Sequence, residues 1–270
     1  MAKIDKIWIF GDYSQAEARV VAWKGPVPAL KHWFQTGEDV HLNVAKMIAK
    51  VVQEQKIHIP SGIFSNKHWE NLEKKDEERQ VAKVTVHANN YDMGYTKFSL
   101  ITGLPEMYAK LLQTIYHSQF REIRERYQKD IRACVERTRT LTTPRGRRHI
   151  FYNTMDAELF REAYAWYAQS VVGDLETAWL IKVCECMENE KIPYKIWTPS
   201  YIRARGLDAR LQVHDAIGVS IPDDLDTIIY TAKLMKKHGE QSIVINNDEL
   251  VIPVDFKIGK NWGEMEELKI

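Results

Sequence analysis

The sequence predicts an α+β fold, with strand-like segments near both ends of the chain and long helical segments between them. Two observations indicate strands: Ile7–Phe10 is a β-branched and aromatic run, and residues 211–222 (LQVHDAIGVSIP) alternate apolar with other residues. A third observation indicates helix, because apolar residues recur at helical spacing from Tyr108 to Ile131. We therefore expect a chain that mixes sheet and helix.

The N-terminal segment opens with a strand, an acidic residue and a helix. The run Ile7–Phe10 ends beside Asp12, which suits a buried strand that carries an acid at its end. A helix is predicted over Ser14–Trp23, with its first residue as the N-cap. A second helix is predicted over Val40–Val52, and a loop over residues 56–67, where proline, serine and glycine are adjacent.

Downstream of this loop the patterns predict mostly helix. Residues 69–89 are assigned to a helix although their β-branched residues weaken the helix preference. Pro105 has the position of a first-turn proline and opens one long amphipathic helix, whose apolar residues recur as far as Ile131. The remaining predictions are a helix over residues 156–189, a hairpin with Asp215 at or near its turn, a short helix over residues 223–238 and a strand over residues 251–256.

The composition excludes several classes of protein. No apolar run approaches the length that spans a bilayer, and the start of the chain lacks the apolar segment of a signal peptide. We expect a cytoplasmic protein without a membrane partner. The three cysteines, Cys134, Cys184 and Cys186, are an odd and sparse set that favours reduced, buried thiols over disulfides. The Cys-x-Cys pair has no nearby histidine or second cysteine pair, so a zinc site is not expected.

Basic residues are concentrated between Arg121 and Arg148, although the net charge of the whole chain is only +1. This segment holds ten basic and four acidic residues. A strip of this density can neutralise phosphates, and it is also typical of the solvated face of a long helix. The strip alone leaves both interpretations open.

Two aspartates lie at the ends of separate apolar strands, Asp12 near the start of the chain and Asp215 far along it. Hard carboxylate oxygens on rigid elements are what a two-metal phosphoryl-transfer site requires. Acids at strand ends are common, however, and the spacing does not show that these two meet.

Four polar residues between the aspartates recur at every fourth position: Arg79, Lys83, His87 and Tyr91. Each step of four residues turns an α-helix by about 400°, so the set drifts by only about 120° in total and shares one broad face. Two cations followed by two ring groups on one face suit a triphosphate with its sugar and base. The same spacing is typical of an exposed basic face without a ligand.

Several segments, in their order along the chain, resemble family A DNA polymerases, the polymerase I class. DYSQAEAR at 12–19 is similar to their first polymerase motif, and LQVHDAI at 211–217 to their third. The set with a spacing of four resembles the second. Further similar segments are FQTGEDVH at 34–41, NNYDMGYTKFSLITGLP at 89–105, TPRGRR at 143–148 and IPVDFKIGKNWGE at 252–264, the last resembling members from bacteriophages.

The resemblance implies an antiparallel palm sheet packed with helices and a mostly helical fingers subdomain. Residues 1–41 would be the first part of the palm, 42–140 the fingers with a connecting long helix, and 141–270 the second part of the palm. No segment corresponds to a thumb or an exonuclease domain. The chain would then be the C-terminal half of a split polymerase, an excised fragment or an unusually reduced enzyme. We expect the first, with a separate N-terminal chain that carries the thumb with or without the exonuclease and covers an edge of the palm sheet.

The resemblance also implies roles for individual residues. Asp12 and Asp215, with the backbone carbonyl of Tyr13, would hold two Mg²⁺ ions, or Mn²⁺ in their place. Lys83 would join the two aspartates as a catalytic residue by assisting the leaving pyrophosphate. The incoming dNTP would be bound by Gln15, Glu17, Arg79, Lys83, His87 and Tyr91, with Glu17 excluding ribonucleotides. Primer–template DNA would contact Arg147, Arg161, Gln169 and His214.

A few positions depart from the family pattern. Ala216 replaces a common acid, Asp92 a glycine, and Ala165 and Ala168 an Asn and a Pro. We expect altered affinity or fidelity rather than loss of DNA-directed DNA polymerase activity. A non-catalytic, polymerase-derived subunit that binds nucleic acid is the main alternative, which the retained acids disfavour. A single-subunit RNA polymerase is a third interpretation, disfavoured by Glu17.

Overall fold

The computed structural model describes residues 6–59, 61–189 and 215–270, and the backbone of residues 195–197. The chain divides into two compact units. Unit 1 consists of residues 1–16 and 169–270, and unit 2 of residues 17–168. The predicted palm and fingers have their boundaries at residues 41 and 140. The two compact units do not test that division, which stays a prediction.

The elements are numbered in chain order. The strands are β1 (Lys6–Tyr13), β2 (Thr140–Thr142), β3 (Arg148–Ile150), β4 (Lys195–Trp197), β5 (Ala216–Pro222), β6 (Ser242–Ile245), β7 (Asp248–Val251), β8 (Val254–Gly259) and β9 (Glu266–Glu267). The helices are α1 (Ala16–Lys24), α2 (Pro28–Gln35), α3 (Val40–Glu54), α4 (Glu77–Asn90), α5 (Tyr95–Thr102), α6 (Glu106–Gln119), α7 (Lys129–Thr138), α8 (Ala157–Asn189) and α9 (Leu225–Gly239). None of the described helices is long and apolar enough to cross a membrane.

Unit 1 is built on an antiparallel sheet with β1 at its centre. The order of the described strands is β4-β5-β1-β8-β9, and each neighbouring pair runs antiparallel. Along β1, Ile9, Gly11 and Tyr13 alternate with Phe10 and Asp12, so the two groups lie on opposite faces of the sheet. This sheet, together with the helices, confirms the predicted α+β class.

One face of the sheet packs around Trp179 of α8. A Cβ atom on Gly11 would lie 2.8 Å from the Trp179 ring, and one on Gly239 would lie 2.9 Å from it. Tyr13 contacts the same ring, with centroids 5.1 Å apart, and its hydroxyl donates to the Gly239 carbonyl at 2.9 Å. Only glycine leaves room for the indole at both positions. The C-terminal end of β1 is thereby fixed against α8 and α9.

Unit 1 also contains a β6–β7 hairpin that sequence analysis did not predict. Its turn consists of Asn246 and Asn247, with φ angles of 53° and 63°. Asparagine tolerates this left-handed conformation better than other residues with a side chain. The two asparagines therefore permit a tight two-residue turn without glycine.

Unit 2 is mostly helical, with a short β2–β3 hairpin after α7. Helix α3 begins after Asp39, whose carboxylate accepts a hydrogen bond from the Leu42 N–H at 3.0 Å. This is a standard N-terminal cap. Helix α4 lies against α3 and α6, and it buries Val81, Thr85 and Ala88 towards them.

Several predicted boundaries in unit 2 are wrong. Helix α4 begins at Glu77 rather than near residue 69, because Asp76 accepts hydrogen bonds from Lys67 and from the Glu73 N–H and shapes a loop there. The long helix predicted from Pro105 is interrupted after α6, and residues Ile123–Gln128 form a π-helical turn before α7.

Most of the other predictions agree with the structure, and one, the Ser14 cap, does not. The helices predicted over 156–189 and 223–238 are α8 and α9, with ends shifted by at most two residues. The second half of the predicted hairpin is β5, which pairs with β1 and β4. Residues 211–214 of that hairpin lie outside the described residues. Ser14 is not the cap of the first helix, because α1 begins at Ala16 and Gln15 has a left-handed φ of 52°.

Candidate active site

Asp12 and Asp215 lie together at the end of β1 in unit 1. The Cα atom of Asp12 lies opposite Ala216, the first residue of β5, and Asp215 directly precedes that strand. The Tyr13 N–H donates to the Asp215 carbonyl at 3.1 Å, so the backbone holds the two acids side by side. Their side chains share a hydrogen bond. The structure thus brings together two acids whose meeting the sequence spacing could not show.

The surroundings of Asp12 disfavour its ionised form. Partial desolvation, then the charge and hydrogen bond of Asp215, and then the charge of Asp255 together raise the pKa of Asp12 to about 7. Lys257 opposes the shift. The Asp12 side chain is nevertheless accessible to solvent. An accessible pair of acids that resists double ionisation has a high affinity for a proton, or for a cation that replaces it.

This donor set fits a magnesium ion. Adjacent carboxylates supply the hard oxygen ligands that Mg²⁺ prefers, and Mg²⁺ commonly completes its shell with water and substrate phosphate. Within the described part of the chain, no three His, Cys, Asp or Glu residues form a fuller cage. The Tyr13 phenol is turned away into the core beside Trp179, and coordination by its backbone carbonyl stays a prediction.

Strand β8 adds two charged residues that sequence analysis did not assign to the site. Asp255 lies opposite Asp12, and Lys257 lies opposite Phe10. Directly opposed residues of an antiparallel pair lie on the same face, so both side chains are on the Asp12 face, where both are exposed. On the other flank of Asp12, Ala216 is fully buried. Ala216 thus brings no acid to its flank of Asp12, whereas Asp255 brings a carboxylate to the opposite flank.

The accessible side of helix α4, in unit 2, is formed by the four residues that recur at every fourth position. Arg79, Lys83, His87 and Tyr91 are exposed or half-buried, whereas the residues between them include most of the buried face. The shared face that the spacing predicts is thus present in the structure, and Tyr91 is the cap residue that follows the last turn.

Arg79 is paired with Asp39, a contact that sequence analysis did not predict. The Arg79 Nε donates to Asp39 Oδ2 at 2.9 Å, and Nη2 lies 2.9 Å from the same oxygen. Burial disfavours the Asp39 carboxylate, but the Leu42 N–H and Arg79 outweigh it and lower its pKa. The guanidinium is therefore already held by an anion, at the N-terminus of α3.

His87 lies beside another histidine, His41 of α3, with ring centroids 5.9 Å apart. His41 is buried, and desolvation, reinforced by the charge of His87, lowers its pKa to about 3. His41 is therefore neutral near pH 7, and it supports the His87 ring by packing rather than by charge.

At the C-terminal end of α4, the Tyr91 hydroxyl donates a short hydrogen bond to the Glu17 carboxylate of α1. Burial and the charge of Glu17 hold the pKa of Tyr91 well above its usual value, which keeps the phenol protonated as a donor. The next residue, Asp92, has a left-handed φ of 55°. Glycine adopts this conformation without strain, which is a physical reason for the glycine usual at this position in the family that the sequence resembles.

The other predicted site residues are placed on separate elements. Gln15 lies in the turn between β1 and α1. Arg147 is exposed in the β2–β3 turn, whose Gly146 has a φ of 90°. Arg161 and Gln169 lie on α8, where the Arg161 Nε donates to the Ala157 carbonyl at 3.2 Å. The predicted contacts of these residues stay predictions, and His214 lies outside the described residues.

Comparisons with known proteins agree with the sequence resemblance. A family model described as DNA polymerase family A matches residues 1–264. Curated proteins give no match by sequence. Among solved structures, the POL domain of Pol1 from M. smegmatis, in complex with DNA primer-template and dNTP, matches with a TM-score of 0.71 at 20% sequence identity.

That structural match covers 95% of this chain and 40% of the M. smegmatis chain. At this level of identity it shows a common fold. The family match is of another kind, because it extends over nearly the whole sequence and includes both aspartates at the end of β1. The chain therefore belongs to DNA polymerase family A.

Proposed function

We propose that the chain carries the nucleotidyl-transfer site of a DNA-directed DNA polymerase. The proposal rests above all on the adjacent acids Asp12 and Asp215 at the end of the central strand, in a chain of this family. In the reaction, the primer 3′-hydroxyl loses its proton and attacks the α-phosphate of a dNTP. A new phosphodiester bond forms, the bond between the α-phosphorus and the oxygen bridging to the β-phosphate breaks, and pyrophosphate leaves.

Asp12 and Asp215 would hold two Mg²⁺ ions, with Mn²⁺ as an alternative and the Tyr13 carbonyl as a further ligand. When bound, such ions activate the attacking hydroxyl and neutralise developing charge on the phosphates. The chain itself holds the two acids on adjacent elements, and the Gly11–Trp179 contact fixes the strand end that carries Asp12. Asp255 and Lys257 set the charge beside them.

The accessible face of α4 would bind the dNTP. Lys83 is exposed and would meet the phosphates, where it can donate a proton to the leaving pyrophosphate. Arg79 would exchange the Asp39 carboxylate for a phosphate oxygen, since a guanidinium binds either anion in the same geometry. His87 and Tyr91 would lie along the sugar and base, and Gln15 would contact the same nucleotide.

Glu17 would exclude ribonucleotides. Its carboxylate is held by the Tyr91 hydroxyl, so it has a fixed position instead of a choice of rotamers. A carboxylate in a fixed position beside the sugar leaves no room for a 2′-hydroxyl. This favours a DNA polymerase over an RNA polymerase.

Arg147, Arg161 and Gln169, together with His214, would contact primer–template DNA. Exposed arginines in the β2–β3 turn suit phosphate contacts, which carry affinity and no sequence preference. The chain matches 40% of the M. smegmatis POL-domain chain.

Primer extension by Asp12→Asn and Asp215→Asn variants, in the presence of Mg²⁺, tests the function. We expect the rate to fall by at least about a hundredfold in either variant, because each loses a metal ligand without a change in side-chain size. Asp226→Asn, an exposed aspartate in the first turn of α9, is the matched control.

The assay is run with the chain alone and with an N-terminal polymerase polypeptide from the same source. Full activity in either aspartate variant contradicts the site assignment. Binding to primer–template DNA without extension, under both conditions, would instead support the non-catalytic subunit.

A further inference from the structure

The last turn of α4 is capped by a glutamine from another element. Gln128 is only 6% exposed. Its Nε2 donates to the Asn89 carbonyl at 2.8 Å and to the Asn90 carbonyl at 3.2 Å. The last carbonyls of a helix have no partner within that helix. The carbonyls that Gln128 satisfies are those of the two residues directly before Tyr91.

The π-helical turn places Gln128 in this position. Residues Ile123–Gln128 form the turn, and its last two residues, Tyr127 and Gln128, are both buried although they are consecutive. The Tyr127 hydroxyl donates to the Tyr164 carbonyl at 2.6 Å, which anchors the turn to α8. Turns of this kind are rare in proteins as a whole, but many of those that occur lie at functional sites. They redirect the side chains next to them.

Helix α6 holds the same region from either side of Tyr91. The Tyr116 hydroxyl donates to Asn90 Oδ1 at 3.0 Å, and the Gln113 Nε2 donates to the Met93 carbonyl at 2.7 Å. The Met93 N–H itself donates to the Ala88 carbonyl at 2.8 Å. The backbone on both sides of Tyr91 is thus tied to α6 and the π-helical turn.

We propose that Gln128 is a positioning residue for sugar selection. By capping α4 it fixes the place of the Tyr91 phenol, and the phenol in turn fixes the Glu17 carboxylate. Gln128 acts through Tyr91 and Glu17 and does not contact the nucleotide. The proposal rests on the proposed function, because it extends the role of Glu17 as the group that excludes a 2′-hydroxyl.

The test variant is Gln128→Met, which keeps the length of the side chain and removes the amide donor. Gln53→Met is the matched control, because the Gln53 Nε2 also donates to two backbone carbonyls, those of Phe64 and Lys67, at 2.9 Å and 2.8 Å. The readouts are the ratio of kcat/KM for a dNTP to that for the matching rNTP, and hydrogen exchange of the backbone amides from Tyr91 to Met93.

We expect Gln128→Met to lower the dNTP:rNTP ratio about fivefold to tenfold, the factor for one buried hydrogen bond, and to speed exchange at Met93. Gln53→Met should leave both unchanged. A purely structural role of Gln128 would lower both kcat/KM values by the same factor, and an unchanged ratio in the folded variant overturns the proposal.

Tyr116→Phe provides a second variant if Gln128→Met does not fold. It removes one hydroxyl from the same anchor, and we expect a smaller change in the same direction; no change overturns the proposal. If the wild-type protein incorporates no nucleotide under any condition, the proposed function fails and with it the role in sugar selection. Hydrogen exchange then still decides whether Gln128 anchors α4.

Discussion

Glu17 and Tyr91 are 74 positions apart in the sequence and are joined by a hydrogen bond in the structure. Neither residue is unusual by itself, since glutamate in the first turn of a helix and tyrosine after the last turn are both common. The pairing has a chemical consequence. A carboxylate held by a phenol keeps one orientation, and rigid placement is what discrimination between two sugars requires.

Replacing Glu17 with alanine tests this role. We expect Glu17→Ala to incorporate ribonucleotides at least about tenfold more readily relative to deoxyribonucleotides, because the obstructing carboxylate is gone. The measurement is the ratio of kcat/KM for dNTP and rNTP in primer extension. Glu106→Ala, at an exposed glutamate in the first turn of α6, is the control. A ratio equal to that of the wild type would remove Glu17 from sugar selection.

At the scale of residues, the sequence predicted which side chains share a face of a helix, but it did not predict which side chains pair with one another. The spacing from Arg79 to Tyr91 determines their common side, because helix geometry is local. The contacts of Asp39 with Arg79 and the position of Asp255 opposite Asp12 depend on how α3 meets α4 and on the register of β1 with β8. Such pairings are tertiary, and no local pattern predicts them.

At the scale of elements, the two faces of β1 have different roles. One face carries Asp12, and the other packs Gly11 and Tyr13 against Trp179 of α8. Because the side-chain period of a strand is two residues, a change at Gly11 acts on the opposite face without contacting the site.

Gly11→Ala is therefore expected to be destabilising, by about 1–3 kcal/mol, because the added methyl group would overlap the Trp179 and Phe256 rings. Gly173→Ala in α8 is the matched control, since nothing lies within 4 Å of the added Cβ atom. That change should stabilise the helix by about 0.5–1 kcal/mol. Urea unfolding of both variants measures the difference, and a Gly11→Ala protein as stable as the wild type would contradict this packing.

Elements with a strong, uninterrupted period were predicted from the sequence with nearly correct ends, as α8 and α9 show. The π-helical turn was not predicted, because apolar residues keep their spacing of three or four across it. The change in the backbone depends instead on hydrogen bonds that Gln128 and Tyr127 make to other elements. The start of α4 was placed too early because Asp76 makes its loop through hydrogen bonds to side chain and backbone.

At the scale of the whole molecule, the α+β class could be predicted and the division into units could not. Unit 1 joins residues from both ends of the sequence, since β1 pairs with β5 and β8, which lie more than two hundred positions later. Contacts of such sequence separation leave no local pattern beyond the alternation of the strands themselves.

Folding as a whole should depend on pH through buried histidines. Desolvation, with the charge of Arg124, lowers the pKa of His117 to about 3, and His41 has a pKa of about 3 for the reasons given above. Unfolded histidine has its usual pKa of about 6.5. Between these values the unfolded chain binds protons that the folded chain does not, so stability is lost as the pH falls below about 6.5. Asp12, whose pKa is raised to about 7, acts in the opposite direction over part of this range.

His117→Gln isolates one of these contributions. We expect the free energy of unfolding of the variant to fall less steeply between pH 6.5 and 4.5 than that of the wild type, by about 1.4 kcal/mol per pH unit. Urea unfolding at a series of pH values gives both curves. Parallel curves would show that His117 is protonated as readily in the folded protein as in the unfolded one.

The two oxygens of Asp39 have separate tasks: Oδ1 caps α3 through the Leu42 N–H, while Oδ2 holds Arg79. In the proposed dNTP site, a triphosphate would therefore compete for Arg79 with an anion that belongs to the protein, which would set a threshold against weakly binding anions, such as single phosphate ions. Substitution of Asp39 during evolution would change this threshold. An asparagine or serine at this position would retain the cap and weaken the hold on the arginine, so nucleotide affinity could drift while the helix stays intact.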